Sequence, residues 1–127
     1  DIPDPDRLEP TMRRFKLNGR QLRILFVQFH RKYHGLCDPP GVKPREIWVE
    51  RRLKGRKLLE IVLHEALHAR FWWMPERDVR NLALDLSRLI IRLGFRECPV
   101  ARKERDERTK AAWRWKPTLE VHTDGAE

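Results

Sequence analysis

Between Leu63 and Ala69 the chain reads LHEALHA, so His64 and His68 stand four residues apart and Glu65 directly follows the first. On an α-helix of about 3.6 residues per turn, positions i and i+4 project from one face, one turn apart. Two imidazoles so related can turn toward a single divalent ion at about 2.0–2.1 Å, a ligand type and distance that suit zinc. Glu65 lies about 100° round the helix. It is poorly placed to ligate beside both rings and well placed to take a proton from a water on the ion. The competing reading is a buried helix whose histidines find ordinary partners in the core. Against it stand the strong helical pattern, the apolar flanks in which an imidazole or carboxylate needs a partner, and a further acid just downstream.

A catalytic zinc takes three protein ligands and keeps one position open. The downstream candidates for the third are Glu76, Asp78, Asp85, Cys98 and His122. On a helical wheel Arg77, Asp78, Asn81, Asp85, Arg88 and Arg92 share one polar arc that should face water. Glu76 falls outside it, between the stripe of Val79, Ala83 and Ile90 and the pair Leu84 and Ile91. It is the expected third ligand, aimed inward from the start of a second helix that RFWWMP turns back beside the first. An acid at a helix start also complements the helix dipole, which is the alternative role for Glu76. Asp85 reads better as a solvated residue than as an orienter of a ligand imidazole.

Elements able to position these groups can be read along the chain. Residues 1–10 read as an extended arm. TMRRFKLNGRQLRILFVQF then gives two strands around Asn18-Gly19, a pair suited to a type I′ hairpin. Leu22, Ile24, Phe26 and Val27 to Phe29 indicate a second strand that is largely covered. HRKYHGLCDPPGVKP reads as a loop full of breakers. REIWVERRL is a third strand, with Ile47 and Val49 on one face and Trp48 and Glu50 on the other; its charged ends suit a sheet edge. From about Arg56 the period becomes helical, and Leu58, Leu59, Ile61, Val62, Leu63, Ala66, Leu67 and Phe71 ring nearly the whole cylinder, as in a buried central helix. Pro75 suits the start of the next helix and Gly94 its end. The expected fold is α+β: a small antiparallel sheet of about three strands packed on two helices. The domain spans 11–98, and 99–127 form a charged segment and tail.

The chain has 127 residues, enough for one modest core, and a formal net charge of +9. That charge favours acidic partners, nucleic acid among them, without specifying chemistry. Two cysteines, Cys37 and Cys98, are too few for a disulfide framework, and a buried, inert thiol is the expectation for each. The acidic, proline-rich start carries no secretory pattern, and no apolar run suits a membrane span. The expectation is a cytoplasmic protein, monomeric by default. RRLKGRK (51–57) and the alternation of Trp113 and Trp115 with Arg114 and Lys116 could meet nucleic acid. A solvated loop and a packed tail explain them as well.

The stretch LHEALHARFWWMPERDVRNLALDLSRLIIRLGFR resembles the gluzincin branch of zincin metallopeptidases, in particular the small minigluzincin or SprT-like forms, over roughly Arg45 to Arg96. The resemblance implies a sheet lying over an active-site helix, a backing helix, and one zinc per chain. It implies His64, His68 and Glu76 as ligands, Glu65 as general base, and hydrolysis of a peptide or protein substrate. It also implies that the strand before the active-site helix borders the cleft, which makes Ile47, Trp48 and Val49 substrate-binding candidates. Small gluzincins carry self-inhibiting segments, a role that the last 30 residues could fill, although an ordinary tail is the simpler expectation. The interval from His68 to Glu76 is shorter than in most gluzincins, and SprT-like proteins proper use a third histidine, whereas here none follows before His122. No oxyanion stabiliser stands out; Tyr33, His34 and His122 read more readily as structural or surface residues. The rival class is a basic nucleic-acid-binding module with structural histidines, and a hybrid is a SprT-like protease acting on DNA-bound protein.

Overall fold

The computed structural model describes residues 12–29, 32–99 and 102–103, together with the backbone of 122–124. The expected arm over 1–10, Trp113, Trp115 and most of the C-terminal segment lie outside these residues. Strands β1 (Met12–Leu17) and β2 (Arg20–Val27) form the expected hairpin, with Asn18 and Gly19 both at positive φ as a type I′ turn requires. Three further strands complete the sheet: β3 (Gly35–Cys37), β4 (Glu46–Glu50) and β5 (His122–Asp124). Helices α1 (Gly55–Arg70) and α2 (Glu76–Arg92) are joined by a short turn, and Gly94 lies just past the end of α2.

The fold is α+β, but the sheet departs from the expected one. Its order is β1-β2-β4-β3-β5, and β2 pairs with β4 in parallel, Ile24 opposite Ile47 and Phe26 opposite Val49, while every other pairing is antiparallel. It is therefore mixed. Strand β4, expected at an edge, is interior and paired on both sides. Part of the expected loop over 30–44 is strand β3, and part of the expected tail is strand β5.

Glu50 accounts for much of this arrangement. Its charge suits an edge, yet the residue is buried, with its backbone N–H donating to His34 O at 2.9 Å. One carboxylate oxygen accepts from the Phe29 N–H at 3.1 Å; the other accepts from the Arg52 backbone N–H at 3.0 Å and the Arg52 Nε at 2.9 Å. Burial by itself would raise the pKa of this carboxyl. The hydrogen bonds from Arg52 and Phe29 and the Arg52 charge outweigh it and hold the pKa below the usual carboxylate value. The group thus staples the chain leaving β2 to the end of β4.

Side chains alternate across the sheet as the strand period requires. Leu22, Ile24, Cys37, Ile47 and Val49 join Leu58, Ile61 and Ala69 of α1 in one core, while Met12, Leu25, Val27, Phe29, Leu36 and Trp48 form a second cluster. Helix α1 packs on β3, β4, β5 and α2, which explains why its apolar residues surround it. Arg56 near its start donates to Glu60 Oε1 at 2.7 Å and to the buried Ser87 Oγ of α2 at 3.2 Å, holding the helices side by side. No described helix is long and apolar enough to cross a membrane.

Candidate metal centre

His64 and His68 occupy successive turns of α1 on its covered side, and both are essentially inaccessible, at 1% and 0% relative exposure. The chain leaves the helix through a tight turn in which Phe71 N–H donates to Leu67 O at 2.7 Å and Met74 N–H to Phe71 O at 2.9 Å. Pro75 then caps α2, so Glu76 is its first residue. Arg56 meets Ser87 at one end of the helix pair and the histidines meet Glu76 at the other, so α1 and α2 run antiparallel.

The three side chains converge. His64 Nε2 lies 2.9 Å from Glu76 Oε1, His68 Nε2 lies 2.7 Å from Glu76 Oε2, and the two Nε2 atoms are 3.0 Å apart. Hydrogen bonding alone cannot satisfy this triangle around a carboxylate. For both nitrogens to donate to the carboxylate, each must carry a proton, and two N–H groups then oppose each other. For one to accept from the other, its lone pair must face a carboxylate oxygen. A cation at the centre removes the conflict, because all three groups can direct lone pairs toward it. Ligand atoms around a tetrahedral zinc with bonds of about 2.05 Å stand about 3.3 Å apart, so the triangle need open by only a few tenths of an ångström. The donor set of two imidazoles and one carboxylate also suits zinc, and it leaves a coordination position for water or substrate. Among the described residues these three form the only such cluster of potential metal ligands.

Glu65 is wholly buried, and its position depends on β3. A Cβ added to Gly35 would lie 2.9 Å from Glu65 Cγ and Oε2 and 3.0 Å from Ile61 Cγ2, so only glycine lets the strand pass this close over α1. Sequence reasoning missed Gly35 because it sits in a stretch read as loop. The available signal was a glycine next to Leu36-Cys37, two residues that cover apolar surface.

The remaining candidates are not brought to this site. Ile47, Trp48 and Val49 lie on the interior strand β4, buried and with both strand edges paired, so they offer no free backbone edge to an extended substrate. This corrects the expected substrate-binding role. Arg77, Asp78, Asn81, Asp85, Arg88 and Arg92 are all exposed, as the polar arc of α2 required. Cys98 is exposed rather than buried, whereas Cys37 is buried as expected. Tyr33 packs edge-on against Phe29, and the backbone of His122 pairs with Cys37 in the sheet. Comparison with protein-family models, curated proteins and solved structures finds no match to this chain.

Proposed function

We propose that this protein is a zinc-dependent metallopeptidase of gluzincin type, with His64, His68 and Glu76 as metal ligands and Glu65 as general base. The observation that carries the reading is the triangle of His64 Nε2, His68 Nε2 and the Glu76 carboxylate, whose three short contacts a central cation satisfies and protons do not. When bound, zinc would supply Lewis acidity, polarising a scissile carbonyl and acidifying water. The chain's own part is orientation and proton transfer. α1 and the start of α2 fix the three ligands, and the close passage of Gly35 holds Glu65 in place on the helix turn beside them. A Glu65 carboxylate oxygen takes the proton of the attacking water and returns it to the leaving amine. In the rival reading the histidines are structural and Glu76 is their hydrogen-bond partner, so the chain would take up no zinc.

β3, the strand above Glu65, has its outer edge paired with β5, Leu36 opposite Thr123. An extended peptide adding to that edge meets a place already filled by the chain itself. Cleavage of an unstructured protein substrate by zinc-loaded chain should therefore rise when the chain ends at Val121. In either length Glu65→Gln should retain zinc and lower cleavage by about 10²–10⁴-fold, the usual contribution of a general base. Undiminished cleavage by Glu65→Gln contradicts the assigned base, and zinc-independent cleavage contradicts the reaction class.

A further inference from the structure

A cavity of about 740 Å³ opens between the β1–β2 turn, the loop joining β3 to β4, and the chain leaving α1. None of His64, Glu65, His68 and Glu76 lines it. Its volume falls within the range of about 300–1,000 Å³ usual for sites of organic ligands. Arg20, Arg23, Lys43, Arg45 and Arg70 line it, and among the described residues no aspartate or glutamate does.

Among the described residues only part of that charge is paired. Arg23 pairs with Glu46 at 3.0 Å. Arg45, by contrast, donates through Nε to Asp38 O at 3.0 Å and through Nη1 to Ala69 O at 2.9 Å, both main-chain carbonyls. Its Nη2 is buried with no hydrogen-bond partner among the described residues. Buried donors are ordinarily partnered, so among the described residues this wall holds a guanidinium donor still able to take an anionic acceptor.

Aromatic surface adjoins the cations. The Arg45 guanidinium lies 5.9 Å from the ring centroid of Trp72, and the neighbouring Trp73 also lines the cavity while remaining 89% exposed. A tryptophan left exposed on a cavity rim provides a large π-face on which none of the described residues is seen to stack. Cationic grooves with free aromatic faces are how proteins hold unpaired nucleotides, the phosphates by charge and the bases by stacking. A duplex turns its bases inward and offers Trp73 no ring. An acidic peptide would use the cations and leave the tryptophan unused.

We infer that this cavity binds single-stranded nucleic acid, with phosphates against Lys43, Arg45 and Arg70 and a base stacked on Trp73. The inference rests on no feature of the metal centre. It is tested with the full-length chain, kept metal-free with a chelator, by fluorescence anisotropy of a labelled oligothymidylate at several salt concentrations. Binding should weaken linearly with salt on a log–log plot, with a slope of about −0.7 per phosphate engaged. Trp73→Ala should weaken binding by about tenfold at fixed salt, as loss of one stacked base predicts. Lys43→Glu with Arg70→Glu, both exposed positions, should weaken it at least as much and flatten the salt slope. Arg88→Glu with Arg92→Glu, an equal charge change on the exposed face of α2, should stay within about threefold of the unaltered chain. Equal losses from the cavity pair and the α2 pair would mean unspecific attraction and overturn the site. So would competition by polyglutamate as strong as that by oligothymidylate together with indifference to Trp73→Ala, an outcome that would reassign the cavity to acidic protein.

Discussion

At the scale of single residues, the centre depends on a glycine as much as on its charged groups. Gly35 lies where β3 crosses α1, and any side chain there must displace Glu65 or Ile61. Gly35→Ala should lower stability by about 1–3 kcal/mol, as overpacking usually does, measured by urea denaturation. Under the proposed function its diagnostic effect is a fall in turnover with zinc content unchanged, because the proposed ligands lie elsewhere and only the proposed base is pushed. Unchanged turnover would show that Ile61 or the strand absorbs the added methyl and that Gly35 does not position Glu65. The meeting of His64 and His68 was legible in the sequence because helical spacing alone puts two imidazoles on one face. Glu76 was legible because its place on the wheel of α2 set it apart from Asp78 and Asp85, both of which are exposed. Gly35 was not, because its role exists only where two elements distant in sequence meet.

At the scale of elements, the two helices and the β1–β2 hairpin followed from periodicity and turn chemistry, with boundaries within about two residues. The sheet did not. Glu50 looks like an edge charge in sequence because alternation cannot distinguish a solvated carboxylate from one buried on Arg52 and two backbone N–H groups. A three-residue strand such as β3 is too short for alternation to register, and its partner β5 lies about 85 residues further along the chain. Parallel pairing of β2 with β4 likewise depends on where the intervening chain crosses, which local pattern does not encode. The Glu50 staple carries its own prediction. Because folding lowers the pKa of this group, the folded state binds its proton less readily than the unfolded chain. Its contribution is present above the ordinary carboxylate range and lost as pH falls below about 4.5, the unperturbed value. Glu50→Gln should therefore cost about 1.5–3 kcal/mol at pH 7, the scale of a hydrogen bond to a charged group, and should flatten the acid limb of the stability profile. An equally steep acid limb in that variant would assign the pH dependence to other carboxylates.

At the scale of the whole molecule, two surfaces of different chemistry share α1. Its covered side carries the histidines between sheet and backing helix, and its C-terminal end opens onto the basic, tryptophan-rimmed cavity. A net charge of +9 signalled acidic partners in general, but its concentration beside Trp73 emerges only when the hairpin turn, the β3–β4 loop and the helix end are brought together. Metal should also couple to global stability, since a ligand that binds only the folded chain stabilises it by about 4 kcal/mol at a thousandfold excess over its Kd. Adding zinc to metal-free protein should thus raise the thermal midpoint by several degrees, and a chelator should reverse the change.

Whether a cation resolves the conflict among His64, His68 and Glu76 is decided by calorimetric titration of zinc into metal-free protein, unaltered and as Glu76→Gln. A neutral amide can accept from one ring and donate to the other, so Glu76→Gln should leave the metal-free fold at least as stable. It should nevertheless weaken zinc binding by more than the roughly 10–100-fold usual for loss of an outer partner of a ligand. The unaltered chain should bind one zinc, and the variant should show this loss. No saturable binding by the unaltered chain, or equal affinity in Glu76→Gln, would contradict a cation at this centre.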